Sequence, residues 1–264
     1  MQDAHDISLA SLALFSLLLS LPFAINMYFK LSLGKDIVFG VLRMLVQLIL
    51  VGLYLEYLFD FDSVLINFVW LNAMILIGAS SVVSKTRLPK RYLLTPIFFG
   101  LAAGVFPVLM VMCVAVVKPV PFYSAQYVIP LTGMLLGNSL SGNIVALQNF
   151  FGAFEVRKDE YAGKISLGAS AIYASRPFIE SAMQKSFAPI LATMATMGLV
   201  TLPGMMTGQI LAGISPMTAI KYQILIMVAI FVVMTISITS CLLLTQYRVL
   251  SVEGKLLCQV DECR

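Results

Sequence analysis

Side chains able to do chemistry are few and scattered in this 264-residue chain. Arg43 and Gln47 stand four apart, which places a donor-only guanidinium and an amide on one helix face. Thr132, Asn138, Ser139, Ser141 and Asn143 crowd a single apolar run, IPLTGMLLGNSLSGNIVAL. Met194, Met197, Met205 and Met206 gather around TLPGMMTGQILAGISP, 201–216, and Met110 and Met112 flank Cys113. Thioethers bind soft ions such as Cu(I), and they also fill irregular apolar gaps. Cys113 and Cys241 lie in apolar runs, while Cys258 and Cys263 form a tail pair, CQVDEC, with no histidine or second pair to complete a zinc site. His5 is the one histidine, so histidine catalysis and histidine ligation inside a bilayer are excluded. The sequence has no G-x4-G-K-[ST] phosphate loop and no carboxylate pair in a pocket-like context. Any uphill work must therefore draw on a partner or on an ion gradient.

The elements that hold these groups are oily. Hydrophobic residues make up 60% of the chain and charged residues 11%, against about 25% charged in soluble domains. This composition describes an all-α integral membrane protein. A bilayer core of about 30 Å asks for roughly 20 helical residues. Seven segments qualify, near 7–29, 37–58, 64–83, 94–117, 127–150, 187–212 and 218–246. A polar stretch, roughly 151–186, separates the fifth from the sixth. Of the Lys and Arg residues in connections, all but Lys118 fall in one alternate set: 30–36, 84–93, 151–186 and the tail. That bias places the N-terminus outside and the C-terminus in the cytoplasm. The net charge of +4 thus reads as topology, not as affinity for nucleic acid. No Ser/Gly/Pro-rich linker divides the chain, so residues 1–264 form one transmembrane domain.

Polar groups at membrane depth are costly, and each admits two readings. Arg43, one turn in from the cytoplasmic side, either snorkels or serves a cavity or buried pair. The polar fifth helix faces protein or a water-lined path, its side chains making interhelical hydrogen bonds or touching a substrate. Gly100-x3-Gly104, Gly133-x3-Gly137 and Gly204-x3-Gly208 let backbones approach closely, within one subunit or across a dimer. Pro203 and Gly204 break the sixth helix, either as a packing kink or as a hinge, with Gly208, along a transport path. The 35-residue polar excursion is far longer than the loops of about 2–8 residues usual in helical bundles, which suggests that it docks something.

Several of these runs resemble one family. MGLVTLPGMMTGQILAGISPMTAIKYQI at 197–224, IPLTGMLLGNS at 129–139, KISLGAS at 164–170 and the R-x3-Q of Arg43 and Gln47 are similar to the signature of FetB-type (YbbM-like, UPF0014) permeases, over nearly the whole chain. The resemblance implies the membrane subunit of an ATP-binding-cassette (ABC) exporter in a bacterial plasma membrane. It further implies a homodimer joined by two copies of a separate ATPase, which binds the ATP and magnesium that this chain does not. Bacterial members are associated with iron export, and plant relatives with aluminium tolerance and a proposed UDP-glucose substrate. The cargo is thus iron or another metal ion, with a chelate or nucleotide sugar as alternatives. The rival classes are a channel or secondary transporter needing no ATPase and a non-transporting membrane scaffold. Glu160 and the run Ser166, Leu167, Gly168 and Ala169 are similar to the permease loop that docks into such an ATPase, although Tyr161 stands where that loop carries alanine. The expected path residues are Arg43, Gln47, Asn138, Asn143, Met205 and Met206.

Overall fold

The computed structural model describes residues 8–61, 63–86 and 90–251. His5, Cys258 and Cys263 lie outside the described residues. Among the described residues ten α-helices follow one another: α1 (Leu9–Ser16), α2 (Ser20–Tyr28), α3 (Gly34–Phe61), α4 (Val64–Thr86), α5 (Lys90–Val111), α6 (Ala125–Val156), α7 (Lys158–Ser166), α8 (Ala171–Thr196), α9 (Gly204–Leu211) and α10 (Pro216–Val249). A 3-10 turn at Leu17–Leu19 joins α1 to α2, and a π-helical segment, Met112–Val117, prolongs α5. Among the described residues no strand forms.

Among the described residues six helical segments are long and apolar enough to cross a membrane: Ala10–Tyr28, Gly34–Phe59, Val64–Thr86, Lys90–Val117, Ala125–Val156 and Pro216–Val249. The chain is a multi-pass membrane protein. The segment expected as a span at 187–212 is not one continuous helix. Those residues begin inside α8, which already started at Ala171. Arg176, Glu180 and Lys185 all precede Ser186 on it, and the chain leaves the helix after Thr196. The apolar part of α8 is therefore too short to span as one rod. Nor is 151–186 a connector between helices. α6 runs on to Val156, α7 takes nine residues, and α8 fills the rest.

Packing centres on α10, which lies mainly on α5 and also on α6, while α6 packs on α8 and α4. Ile75, Leu93, Ile97, Leu101, Leu147, Ile226, Ile238 and Leu242 fill the middle. Backbones come close where α5 crosses α10. A Cβ on Gly100 would lie 2.9 Å from the Ser237 carbonyl oxygen, and one on Gly104 would lie 2.7 Å from that of Val233. The other two predicted glycine motifs do not act this way. Gly137, Gly204 and Gly208 have open space around them, and Gly133 meets only Met74, at an ordinary 3.6 Å.

Buried hydroxyls serve their own helices. Thr132, Ser139, Ser175 and Ser186 each donate to the carbonyl four residues back, at 2.6–2.8 Å, which satisfies these four donors in an apolar medium. α1, α2 and most of α3 stand apart. Nothing in the apolar windows of these two N-terminal spans is buried. α3 meets the bundle at its far end, where Leu58 packs with Ala125 and Ile129, and Tyr54 stacks on Trp70 at 4.2 Å.

Candidate functional site

The helical elbow α6–α7–α8 is built around aromatic rings. Phe150 and Phe154 are one turn apart on α6, and Tyr161 follows on α7. Phe154 meets Phe150, Tyr161 and Phe178 edge-on, with centroids 5.0–5.2 Å apart. The Arg157 guanidinium lies 4.9 Å from the centre of the Phe178 ring. Tyr161, an odd residue in the sequence comparison, thus pins α7 between α6 and α8. Nothing in the sequence marks this anchor beyond the one-turn spacing of Phe150 and Phe154, because Tyr161 lies on the next helix.

On the outer side of α7, Glu160 accepts from Arg157 and Lys164, both at 2.7 Å. The Lys164 and Arg157 hydrogen bonds hold its carboxyl below the usual carboxylate range. The helix ends in a tight turn. Ser166 donates to the Ala162 carbonyl, Gly168 adopts φ +87°, and Leu167 projects with 90% of its surface exposed. Ser170 then caps α8 by accepting from the Tyr173 N–H. The far end of α10 is tied to the same place, since Gln246 donates to the Ile172 carbonyl and to Ser175 Oγ at 3.0 and 2.8 Å. One rigid knot therefore holds α6, α7, α8 and α10 behind an exposed turn made of Leu167, Gly168 and Ala169.

From this knot α8 runs beside α10 in the opposite direction. Ser186 shares a groove with Met234, and beyond it Met194 and Met197 share a cavity with Met227 and Gln223. The helix stops at Met197, whose ψ of 133° is extended, and Gly198 has φ +83°. The Gly198 N–H then donates to the Thr201 carbonyl at 3.0 Å. Helix resumes at Gly204 with Pro203 as its N-cap. The break thus begins six residues before Pro203, and that proline opens the next helix instead of ending the last one. Pro96, Pro107, Pro130, Pro177 and Pro189 all sit inside unbroken helices, so proline does not by itself interrupt this bundle. After α9, Ser215 caps α10 by accepting from the Thr218 N–H, with Pro216 in its first turn.

Met206 lines the cavity beside this break, about 430 Å³ in volume, together with Met194, Met197, Met227, Pro203 and Gln223. Met205 packs instead against the main core, and Gly204 and Gly208 are exposed. The polar residues of α6 split between two faces. Asn143 is fully buried and donates to Ser237 Oγ of α10 at 2.9 Å, tying two helices together. Asn138 is exposed and borders a groove with Ser141 and Thr193. Arg43 and Gln47 are exposed on α3 and border neither the groove nor the cavity. Among the described residues no three His, Cys, Asp or Glu side chains come together to hold a metal ion.

A multi-pass helical bundle with an interrupted helix and a clamped elbow is the class of molecule described so far, and similarity says which one. The model of "Uncharacterised protein family (UPF0014)" matches residues 9–250, and the chain belongs to that family. "UPF0014 membrane protein YjkA" of Bacillus subtilis is 30% identical over 235 residues, 89% of this chain and 91% of that protein. "Probable iron export permease protein FetB" of Escherichia coli is 31% identical over 225 residues, 85% of each chain. "Protein ALUMINUM SENSITIVE 3" of Arabidopsis thaliana is 28% identical over 199 residues, 75% of this chain and 71% of that one. No solved structure matches.

Proposed function

We propose that this chain is the membrane-spanning subunit of an ATP-driven exporter in a bacterial plasma membrane. It works as a homodimer with two copies of a separate ATPase that binds the ATP and magnesium. The carrying observation is the clamped elbow. An exposed turn at Leu167–Ala169, backed by the Phe154–Tyr161–Phe178 cluster and the Gln246 tie, gives a partner a handle that cannot move without moving α6, α8 and α10. Glu160 stiffens that handle through its two ion pairs. ATP-driven closure of a gripping partner would tilt these helices, as nucleotide states shift populations only by binding two conformations unequally.

Under this proposal the broken pair α8–α9 makes one further crossing, antiparallel to α10. There are then seven crossings, with the N-terminus outside and the elbow and C-terminus in the cytoplasm, as the bias of loop Lys and Arg requires. Irregular backbone at membrane depth is tolerated where it is buried in protein or lines a cavity, and the 197–203 break borders one. Pro203, Gly204 and Gly208 then flank the flexing point, and Met205, Met206, Asn138 and Asn143 stand near the path.

The printed name of the Escherichia coli relative makes iron the first cargo to try. The apolar, methionine-rich cavity favours a second reading, a metal carried as a chelate, because hard and borderline metals want oxygen and nitrogen ligands. The deciding experiment reconstitutes the chain in vesicles with an ATP-binding-cassette ATPase found to co-purify with it. Mg-ATP should drive Fe²⁺ or an Fe chelate across, and Leu167→Asp should abolish both transport and ATPase capture. Movement of either cargo by this chain alone would refute the proposal.

A further inference from the structure

The two N-terminal spans leave an unpaired charge in the bilayer. Arg43 and Gln47 lie within the Gly34–Phe59 span, exposed, with no ion-pair partner for Arg43 among the described residues. Lipid cannot satisfy a guanidinium with five donors, and such groups at membrane depth face protein or water. A second polar strip is also uncovered. Asn138 and Ser141 of α6 and Thr193 of α8 edge a groove of about 180 Å³ floored by Met234. Asn138 Nδ2 donates to the Met134 carbonyl at 2.9 Å, which leaves its Oδ1 as an acceptor. Thr193 likewise donates to the Pro189 carbonyl and keeps lone pairs free. The groove thus offers acceptors, and α3 offers donors.

Their depths agree. Leu58 and Ile129 share one cluster and so mark one level. At about 1.5 Å per helical residue, Gln47 lies about 16 Å below that level and Arg43 about 22 Å below it. On the same scale Asn138 lies about 14 Å below it, Ser141 about 18 Å, and Val145, at the groove's other end, about 24 Å. A twofold axis along the bilayer normal preserves depth, so the match holds between copies as well as within one. Within one chain α3 touches α6 only near Leu58.

We propose that the α6–α8 groove receives α3 of a second copy of this chain, with Arg43 and Gln47 of each subunit completing the polar strip of the other. The inference rests on the homodimer reading and adds to it an exchange of arms. The path-facing polar set then includes residues from both subunits, and neither subunit has a complete set alone.

The test uses two tagged full-length chains, co-expressed, with Cys258 and Cys263 replaced by serine. One carries Gln47→Cys and the other Asn138→Cys. Oxidation in native membranes should join the two tags. A control pair with Phe99→Cys, an exposed residue on α5, should not join. Native mass spectrometry reports the dimer independently. A dimer with no mixed-tag product overturns the exchange and leaves the dimer standing. A monomer overturns both. Linkage found only when one chain carries both cysteines assigns the contact within the subunit and also overturns the exchange. Arg43→Leu with Gln47→Leu, which lies outside the α4–α10 bundle, should weaken dimerisation about eightfold to sixtyfold, the range of two to four interhelical hydrogen bonds over the two equivalent arms. Unchanged dimerisation would count against the exchange.

Discussion

Replacing Gly104 by alanine adds one methyl group at the tightest of the described glycine contacts. Its Cβ would sit 2.7 Å from the Val233 carbonyl oxygen and 3.2 Å from Ser237 Cβ. Ordinary contact begins near 3.4 Å, so α5 and α10 must part locally by about 0.7 Å, with backbone on both sides and no flexible side chain to yield. Overpacking of this kind costs about 1–3 kcal/mol. Alanine's better helix propensity returns up to about 1 kcal/mol. With that gain returned in full the net loss is about 0–2 kcal/mol, or a fall in Tm of up to about 8 °C for a chain of this size. Gly100→Ala, whose Cβ would meet Cys241 and Ser237 at 2.9 Å, is relieved by the same separation, so the double variant should lose less than the sum. Gly137→Ala, with nothing within 4 Å, is the matched control and should leave Tm level or raise it. The assay is thermal unfolding in one detergent, with dimer content followed in parallel. A Gly104→Ala protein as stable as Gly137→Ala would refute the view that this crossing is limited by backbone contact.

Three further outcomes are expected. A double-mutant cycle of Asn143→Leu and Ser237→Ala, read by thermal unfolding, should give a coupling of about 0.6–1.7 kcal/mol for the α6–α10 tie. Gly198→Ala should lower stability by about 1–2 kcal/mol through its left-handed φ alone, because its Cβ would meet nothing. Pro203→Ala should change Tm little, and equal losses from the two would show that proline makes the break. The Glu160 carboxyl is depressed in the folded protein, so its contribution is present above the ordinary value of 4.5 and fades as pH falls through the lower folded value. The Tm gap between wild type and Glu160→Gln should therefore be constant near neutrality and close only in acid, and a gap closing near pH 6 would contradict the triad.

The long apolar helices were legible because length and oil are enough to define them, as Val64–Thr86 and Pro216–Val249 show. The sixth was not. Charges on 171–186 read as a loop, yet they ride on a helix that continues inward, and hydropathy carries no mark of that continuity. Proline was taken as the breaker at Pro203, but the residue that turns the chain is Gly198, and a glycine's φ is invisible before the fold exists. Three G-x3-G motifs looked alike, and only Gly100–Gly104 meets another backbone, because close approach depends on which face a neighbour takes. Among the site residues, Asn138 and Asn143 were marked together as polar. Their spacing of five places them on different faces, one buried against α10 and one open.

α6 has 32 residues and α10 has 34. At about 1.5 Å each they are about 48 and 51 Å long, against a bilayer core of about 30 Å. Both helices therefore outrun the lipid, and the aromatic elbow sits on the end of α6 with no break in the helix between it and the buried rod. Under the proposed function, a force applied at this end would reach the far end of the same helix as rotation, with the bilayer as the fulcrum. A shortened or broken end would cut the stroke in proportion to the arm removed, even with every residue inside the lipid left in place.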